Sequence, residues 1–142
     1  MSDHLNRALD YAKSKREQQL AALKELVSIP SVSTDPERKQ HIQQAAEWLQ
    51  QELLRIGMST AKLFPTPRHP IVYGENLDAG DQAPTVLIYG HYDVQPEDPL
   101  DEWDSDPFQA NVVGENIFGR GTTDMKGQII ASLSAVEAVL AS

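Results

Sequence analysis

The feature that most constrains the fold of this chain is the apolar run Val86-Leu87-Ile88-Tyr89, which follows Pro84 and ends at Gly90. Its length and its β-branched content favour a strand over a helix. Because it offers no polar face to water, it predicts a strand over residues 84–89 that is buried on both faces, as in a parallel sheet covered by helices.

Apolar residues at helical spacing predict three helices in the rest of the chain. Asp35-Pro36 is typical of a helix start, and Gly57 of a helix end. Short strands and one hairpin are predicted between the helices, and together these elements indicate an α/β or mixed sheet with helices packed on it. The predicted helices cover residues 4–28, 35–56 and 125–140, the strands residues 60–64 and 70–74, and the hairpin residues 110–118.

The composition narrows the class of function. The net charge of −9 over 142 residues argues against nucleic acid or an anionic membrane as the partner, because both require a basic surface. The absence of cysteine excludes disulfides, thiolate catalysis and cysteine-ligated zinc. No signal peptide and no membrane-spanning run is visible, so we expect a cytoplasmic protein.

The first candidate motif, Gly90-His91-Tyr92-Asp93, follows the apolar run directly. His91 is therefore expected at the carboxyl end of the strand, where open α/β sheets bind ligands. Since residues i and i+2 face the same way in extended backbone, Asp93 can accept a hydrogen bond from the imidazole nitrogen that does not bind metal. An isolated His-x-Asp is nevertheless common in surface loops.

The second candidate motif is a glycine-rich turn, residues 119–127, that leads into the last helix. Gly119 and Gly121 allow unusual backbone angles or a close approach there. Asp124 has two interpretations of about equal weight, an ordinary N-cap or a metal ligand. The turn lacks the third glycine of a dinucleotide site, and Lys126 does not fit a Walker A frame. Ser31 and Ser33 lack the sequence context of a serine hydrolase nucleophile.

Taken together, the motifs resemble the two-zinc exopeptidase and deacylase family, which includes carnosinase-like dipeptidases, carboxypeptidase G, acetylornithine deacetylase and succinyl-diaminopimelate desuccinylase. The dipeptidase branch is the most similar. The resemblance extends over nearly the whole chain and includes the helix exit at residues 26–33. It rests on Gly90-His91-x-Asp93-Val94-x-Pro96, Trp103, Asp106-Pro107-Phe108 and Gly119-Arg120-Gly121-x-x-Asp124-x-Lys126-Gly127.

The resemblance implies a fold, a reaction and a role for each site residue. Residues 1–142 are expected to form the front part of a zinc-exopeptidase-type α/β/α sandwich with a mixed, largely parallel sheet. His91 and Asp124 are implied as metal ligands, with Asp124 bridging two zinc ions that cobalt or manganese could replace. Asp93 is implied as the catalytic residue that orients His91. A cis peptide bond after Asp124, a dipeptide or short-peptide substrate and a homodimer of the full-length enzyme are implied as well.

The chain departs from the family pattern in lacking an adjacent Glu-Glu pair. In the family this pair supplies the general base and a metal ligand, so we expect the 142 residues to be an N-terminal portion that is inactive alone. Two alternatives stay open. One is an N-acyl amino acid deacylase of the same family, and the other is a non-catalytic binding or structural module.

Overall fold

The computed structural model describes residues 3–142, which form four α-helices and two β-hairpins. Short 3-10 turns at Pro36–Arg38 and Leu100–Glu102 complete the regular structure. The helices are α1 (Asp3–Ser14), α2 (Arg16–Ser28), α3 (Lys39–Arg55) and α4 (Lys126–Leu140), and the strands are β1 (Thr60–Phe64), β2 (Ile71–Glu75), β3 (Asn111–Val113) and β4 (Asn116–Phe118).

The core forms where α2, α3 and α4 meet. Each helix contributes apolar residues from the stripe that its spacing predicts, and burial of these side chains is the main stabilising contribution. None of the helices in residues 3–142 has both the length and the apolar character that a membrane crossing requires. The buried cluster consists of Leu26, Ile29, Ala45, Leu49 and Ile130.

The strands pair as two separate antiparallel hairpins, β1 with β2 and β3 with β4. Thr60 lies opposite Glu75 and Phe64 opposite Ile71, so the first hairpin has the predicted position within one residue. Gly114, with φ of 62°, closes the second hairpin. Within the described residues the only parallel pairing is one isolated bridge between Val32 and Val94. The predicted combination of helices and strands is confirmed.

The prediction of a buried strand over residues 84–89 is wrong for this structure. The segment Val86–Tyr89, hereafter the apolar segment, is extended but pairs with no strand of residues 3–142. Leu87 is 89% exposed. A strand is buried on both faces only when other strands flank it, and the strands described here pair with each other elsewhere in the molecule.

The single helix predicted over residues 4–28 is also wrong, because it is divided at Lys15 into α1 and α2. The Ser14 hydroxyl donates to the Tyr11 carbonyl at 2.7 Å, and the Gln19 amide donates to the Ala12 carbonyl at 3.2 Å. The Ser14 hydroxyl thus satisfies a backbone acceptor at the break, and the Ala12 carbonyl accepts from the Lys15 backbone amide at 3.3 Å as well. Apolar periodicity cannot reveal such a break, since it continues in phase across it.

The helix predicted from Asp35 is confirmed with a modified first turn. Asp35 caps it by accepting a hydrogen bond from the Glu37 amide at 2.9 Å, but Pro36–Arg38 form a 3-10 turn before α3 begins. Gly57, with φ of 101°, ends α3 in a conformation that strongly favours glycine.

Candidate metal centre

The three predicted site residues converge around the imidazole ring of His91. Its Nδ1 lies 3.1 Å from Asp93 Oδ1, and its Nε2 lies 3.1 Å from Asp124 Oδ1. The ring therefore stands between two carboxylates, with Asp93 on the side away from Asp124. This is the geometry that the sequence predicts, although the residues before His91 belong to no sheet in the part of the chain described.

The protonation of His91 follows from this arrangement. A carboxylate only accepts hydrogen bonds, so both ring nitrogens must carry a proton when both contacts are made. Burial lowers the pKa of His91, but the hydrogen bonds to the Asp93 backbone carbonyl, 3.1 Å from Nδ1, and to the Asp124 carboxylate outweigh it and raise the pKa above its ordinary value. Nε2 and the Asp124 carboxylate thus face each other where a metal ion would bind, and the donor set of imidazole and carboxylate suits a divalent cation such as zinc.

Asp124 is not an N-cap, because α4 begins at Lys126 after Met125 and no side chain caps it. The Asp124 side chain is 77% exposed, and its hydrogen bond to His91 is the only one it forms within residues 3–142. The Asp124–Met125 peptide bond is cis, as the resemblance predicts. The interpretation of Asp124 as a cap is therefore wrong, while its role as a ligand stays a prediction.

Two glycines shape the turn that carries Asp124. Gly121 has φ of 89°, and a Cβ atom there would lie 2.7 Å from Cγ1 of Val94, so the turn packs directly onto the first motif. A Cβ on Gly127 would collide with the carbonyl oxygen of Thr122. Only residues without a side chain allow this approach, which brings Asp124 to His91.

Lys126 supports the second motif from within the core, a role that the sequence did not reveal. Its side chain is fully buried, and Nζ donates to the carbonyls of Leu26 at 2.9 Å and Ile29 at 2.7 Å. Burial lowers the pKa of Lys126 to about 7, and the nearby Asp93 carboxylate opposes this shift. Lys126 thereby ties the second motif to the end of α2.

The segment Ile29–Ser33, hereafter the exit segment, was missed as well. It lies along the first motif, with the Val94 amide donating to the Ser31 carbonyl at 2.9 Å and the Ser31 hydroxyl donating to the Tyr92 carbonyl at 2.7 Å. The Ser33 hydroxyl donates to Asp93 Oδ2 at 2.5 Å. The alternation of Ser31 and Ser33 was the available signal, since residues two apart face the same side of extended backbone.

A cluster of charged and aromatic side chains holds the loop after the first motif. Arg38 binds both carboxylate oxygens of Glu97, and Trp103 Nε1 donates to the Glu97 carbonyl at 2.8 Å. The Arg120 guanidinium lies over the Trp103 ring, 5.2 Å from its centroid. Because Arg120 belongs to the second motif, this cluster connects the two motifs on the side away from the core.

Two cavities border the centre. One of about 480 Å³ separates the apolar segment from the helical core and has His69, His91 and Asp93 among its lining residues. The other, of about 230 Å³, is lined by Gln95 and residues 119–124 and includes Asp124. Residues 3–142 contain no group of three or more histidine, cysteine, aspartate or glutamate side chains arranged to hold a metal ion. The described part of the chain thus supplies two candidate ligands.

Residues 87–142 match the model of peptidase family M20/M25/M40. The chain is 34% identical over 148 residues to a Cys-Gly metallodipeptidase of Schizosaccharomyces pombe, an alignment that covers 97% of this chain and 31% of that protein. It is 48% identical over 63 residues to a succinyl-diaminopimelate desuccinylase of Aromatoleum aromaticum, covering 44% of this chain and 16% of that protein.

The fold leads to the same group of enzymes. The structure matches human carnosine dipeptidase 1 with a TM-score of 0.86 and 29% sequence identity, over 99% of this chain and 32% of that one. The chain thus spans about a third of the length of the dipeptidases that it matches along its whole course. The resemblance seen in the motifs is confirmed, and the chain is a segment homologous to the metallopeptidases of family M20/M25/M40.

Proposed function

We propose that this chain contributes part of the metal centre of a dipeptidase that hydrolyses the peptide bond of dipeptides or short peptides. The observation that carries the proposal is the array Asp93–His91–Asp124, in which the two ring nitrogens of one histidine each face a carboxylate at 3.1 Å. The similarity to Cys-Gly and carnosine dipeptidases supports a short peptide as the substrate.

The proposed ligands are His91, through Nε2, and the carboxylate of Asp124. Family membership implies dependence on a divalent metal, and we propose two zinc ions, with Asp124 shared between them. Metal ions in such sites polarise the scissile carbonyl and lower the pKa of the attacking water.

Asp93 orients His91 in this proposal. By accepting a hydrogen bond from Nδ1–H, it keeps the proton on Nδ1, leaves the lone pair of Nε2 directed toward Asp124 and makes the ring a better ligand. Asp124 reaches into solvent beside the cavity of about 230 Å³, so its second oxygen has no partner within the described residues and is open to a cation.

A deacylase of the same family is a second candidate. The stretch that is 48% identical to a succinyl-diaminopimelate desuccinylase favours it, because this local identity exceeds that to the dipeptidases. That stretch covers only 44% of the chain, whereas the dipeptidase similarity extends over 97%. We therefore rank the dipeptidase first.

The experiment expresses the protein from its complete gene and measures bound metal and turnover of Cys-Gly, β-Ala-His and an N-succinyl amino acid. His91→Ala should lose metal and activity together, because it removes a ligand. Asp93→Ala should keep most of the metal and lose about 10- to 100-fold in rate. His4→Ala is the matched control, since His4 lies on α1 and contacts Arg7 instead of the centre.

The substrate that turns over separates the two candidates, with the N-succinyl compound indicating a deacylase. A His91→Ala protein with the wild-type metal content would contradict the ligand role. Wild-type rates in Asp93→Ala would contradict the orienting role. A cytoplasmic location and a homodimer stay predictions.

A further inference from the structure

The carboxylate of Asp93 divides its two oxygens between two partners. Oδ1 accepts from His91 Nδ1 at 3.1 Å, and Oδ2 accepts from the Ser33 hydroxyl at 2.5 Å. The hydrogen bond from Ser33 therefore determines which way the plane of the carboxylate turns. Ser33 forms no hydrogen bond with His91 or Asp124 within residues 3–142, so its effect on the centre passes through Asp93.

The backbone of Ser33 has contacts of its own. His69 Nε2 lies 3.2 Å from the Ser33 carbonyl oxygen, and the Tyr92 hydroxyl donates to the Pro70 carbonyl at 2.5 Å. The bridge between Val32 and Val94 fixes the preceding residue. These contacts hold the hydroxyl of Ser33 in place as a donor. They involve the exit segment, residues 69–70 and residues 92–94.

A fixed donor matters here because acceptors compete for the ring of His91. The backbone carbonyl and the carboxylate of Asp93 each lie 3.1 Å from Nδ1, and the Asp124 carboxylate lies 3.1 Å from Nε2. The neutral ring carries one proton, which can lie on Nδ1 toward Asp93 or on Nε2 toward Asp124. Asp93 is 40% exposed and anchored by Ser33, whereas Asp124 is 77% exposed and has no second hydrogen bond within residues 3–142. Because Ser33 already holds the Asp93 carboxylate, this group loses less rotational freedom than Asp124 when it accepts a hydrogen bond from the ring.

We propose that Ser33 is a positioning residue, whose hydroxyl holds Asp93 so that the proton of the neutral His91 ring stays on Nδ1 and the lone pair of Nε2 faces Asp124. The effect on metal binding rests on the proposed function. The position of the proton on the His91 ring can be tested independently of that function. Ser31 provides the internal comparison, since it lies in the same exit segment and donates to the backbone carbonyl of Tyr92 at 2.7 Å.

The experiment uses the protein expressed from its complete gene, labelled with ¹⁵N in histidine only and stripped of metal by a chelator. The ring-nitrogen shifts of His91, assigned with a His91→Gln variant, give the ratio of its two neutral forms at a pH above its pKa. Ser33→Ala should lower the ratio of the Nδ1-protonated to the Nε2-protonated form at least about threefold, because the lost bond is to a charged acceptor. Ser33→Thr and Ser31→Ala should keep the wild-type ratio.

A wild-type ratio in Ser33→Ala, or an equal loss in Ser31→Ala, would overturn the proposal. Should Ser33→Ala fail to fold, Ser33→Cys keeps a side chain of similar size with a weaker donor, and its ratio should lie below that of the wild type. Zinc affinity of the same variants is the second measurement, with a loss of about tenfold expected for Ser33→Ala. A changed ring ratio with no zinc bound by the wild type would uphold the role of Ser33 and contradict the proposed function.

Discussion

The exit segment and the apolar segment both adjoin the first motif, but they differ sharply in burial. Val32 is 1% exposed, while Leu87 is 89% exposed. Both segments are short and lie outside the helices and hairpins. The exit segment, however, is bonded to Tyr92 and Val94 and tied to Lys126, whereas no strand within residues 3–142 pairs with the apolar segment.

The difference shows that an apolar pattern indicates which residues are stabilised by burial. Whether they are buried depends on neighbouring elements that cover them. The exit segment finds its partners in the second half of this chain. The apolar segment needs flanking strands, and the four strands of the described residues are already paired with each other. The first motif, which contains His91, lies beside the buried exit segment. The arrangement of the candidate ligands is therefore formed even though no strand pairs with the apolar segment within residues 3–142.

The largest expected effect is on the folding free energy, and it appears when a buried leucine and an exposed leucine are each replaced by alanine. In the 142-residue chain, Leu26→Ala should cost about 2–5 kcal/mol of folding free energy, because Leu26 is 0% exposed in the core and the change leaves a cavity. Leu87→Ala should change it by less than about 0.5 kcal/mol. Urea unfolding measures both, and equal losses would remove the distinction between the two regions.

The next effect concerns the buried ammonium group. Lys126→Met keeps the length of the side chain but leaves the Leu26 and Ile29 carbonyls without their donor, at an expected cost of about 2–4 kcal/mol. Lys13→Met is the control, since the Lys13 side chain is 77% exposed and only approaches Asp10. A Lys126→Met protein as stable as Lys13→Met would show that Lys126 does not hold the exit segment.

A smaller effect depends on pH and concerns Glu137, which joins α4 to α3 and α1. Arg55 donates to it at 2.8 and 3.0 Å, and Tyr11 donates at 3.2 Å. The hydrogen bonds from Arg55 lower the pKa of Glu137. The ionised carboxylate thus stabilises the fold above the usual carboxyl pKa of about 4.3, and this contribution is lost as the pH falls through the lowered pKa.

Glu137→Gln should therefore cost about 1–3 kcal/mol near neutral pH, and its difference from the wild type should shrink toward about pH 3. Thermal unfolding across this range measures the difference. Glu115→Gln, in the exposed turn of the second hairpin, should follow the wild type at every pH. A difference that stays constant with pH would contradict the role of the ionised carboxylate.

The smallest expected change in unfolding free energy is for Leu87→Glu, which should instead change the self-association of the chain. The exposed apolar segment should make the 142-residue chain self-associate, because unpaired extended backbone with apolar side chains promotes strand pairing between molecules. Leu87→Glu should shift light scattering toward the monomer and leave the unfolding free energy nearly unchanged. A wild-type chain that stays monomeric at high concentration would show that this surface is harmless.

The sequence predicted the elements whose signals are local. The hairpins, the start of α3 and its end at Gly57 depend on turn and capping residues near in sequence, and they have the predicted positions within a few residues. The break at Lys15 depends on side-chain hydrogen bonds that apolar spacing does not report. The strand over residues 84–89 depends on partners that these 142 residues do not provide.

In the candidate site, too, the contacts between residues close in sequence could be predicted, and the long-range contacts could not. His91 and Asp93 are two residues apart, so their hydrogen bond follows from extended backbone, and Asp124 was identified through the resemblance. Ser33 and Lys126 act across separations of 60 and about 100 residues. Long-range contacts of this kind have no periodic signature, and only the folded structure shows that both residues support the centre.

The central claim is that His91 and Asp124 bind the same metal ion. Crystals of the protein from its complete gene, grown with zinc and measured at the zinc absorption edge, test it directly through anomalous scattering. We predict a zinc peak about 2.0–2.2 Å from both His91 Nε2 and an Asp124 carboxylate oxygen. Zinc bound elsewhere, with His91 still hydrogen-bonded to Asp124 at about 3.1 Å, would contradict the claim.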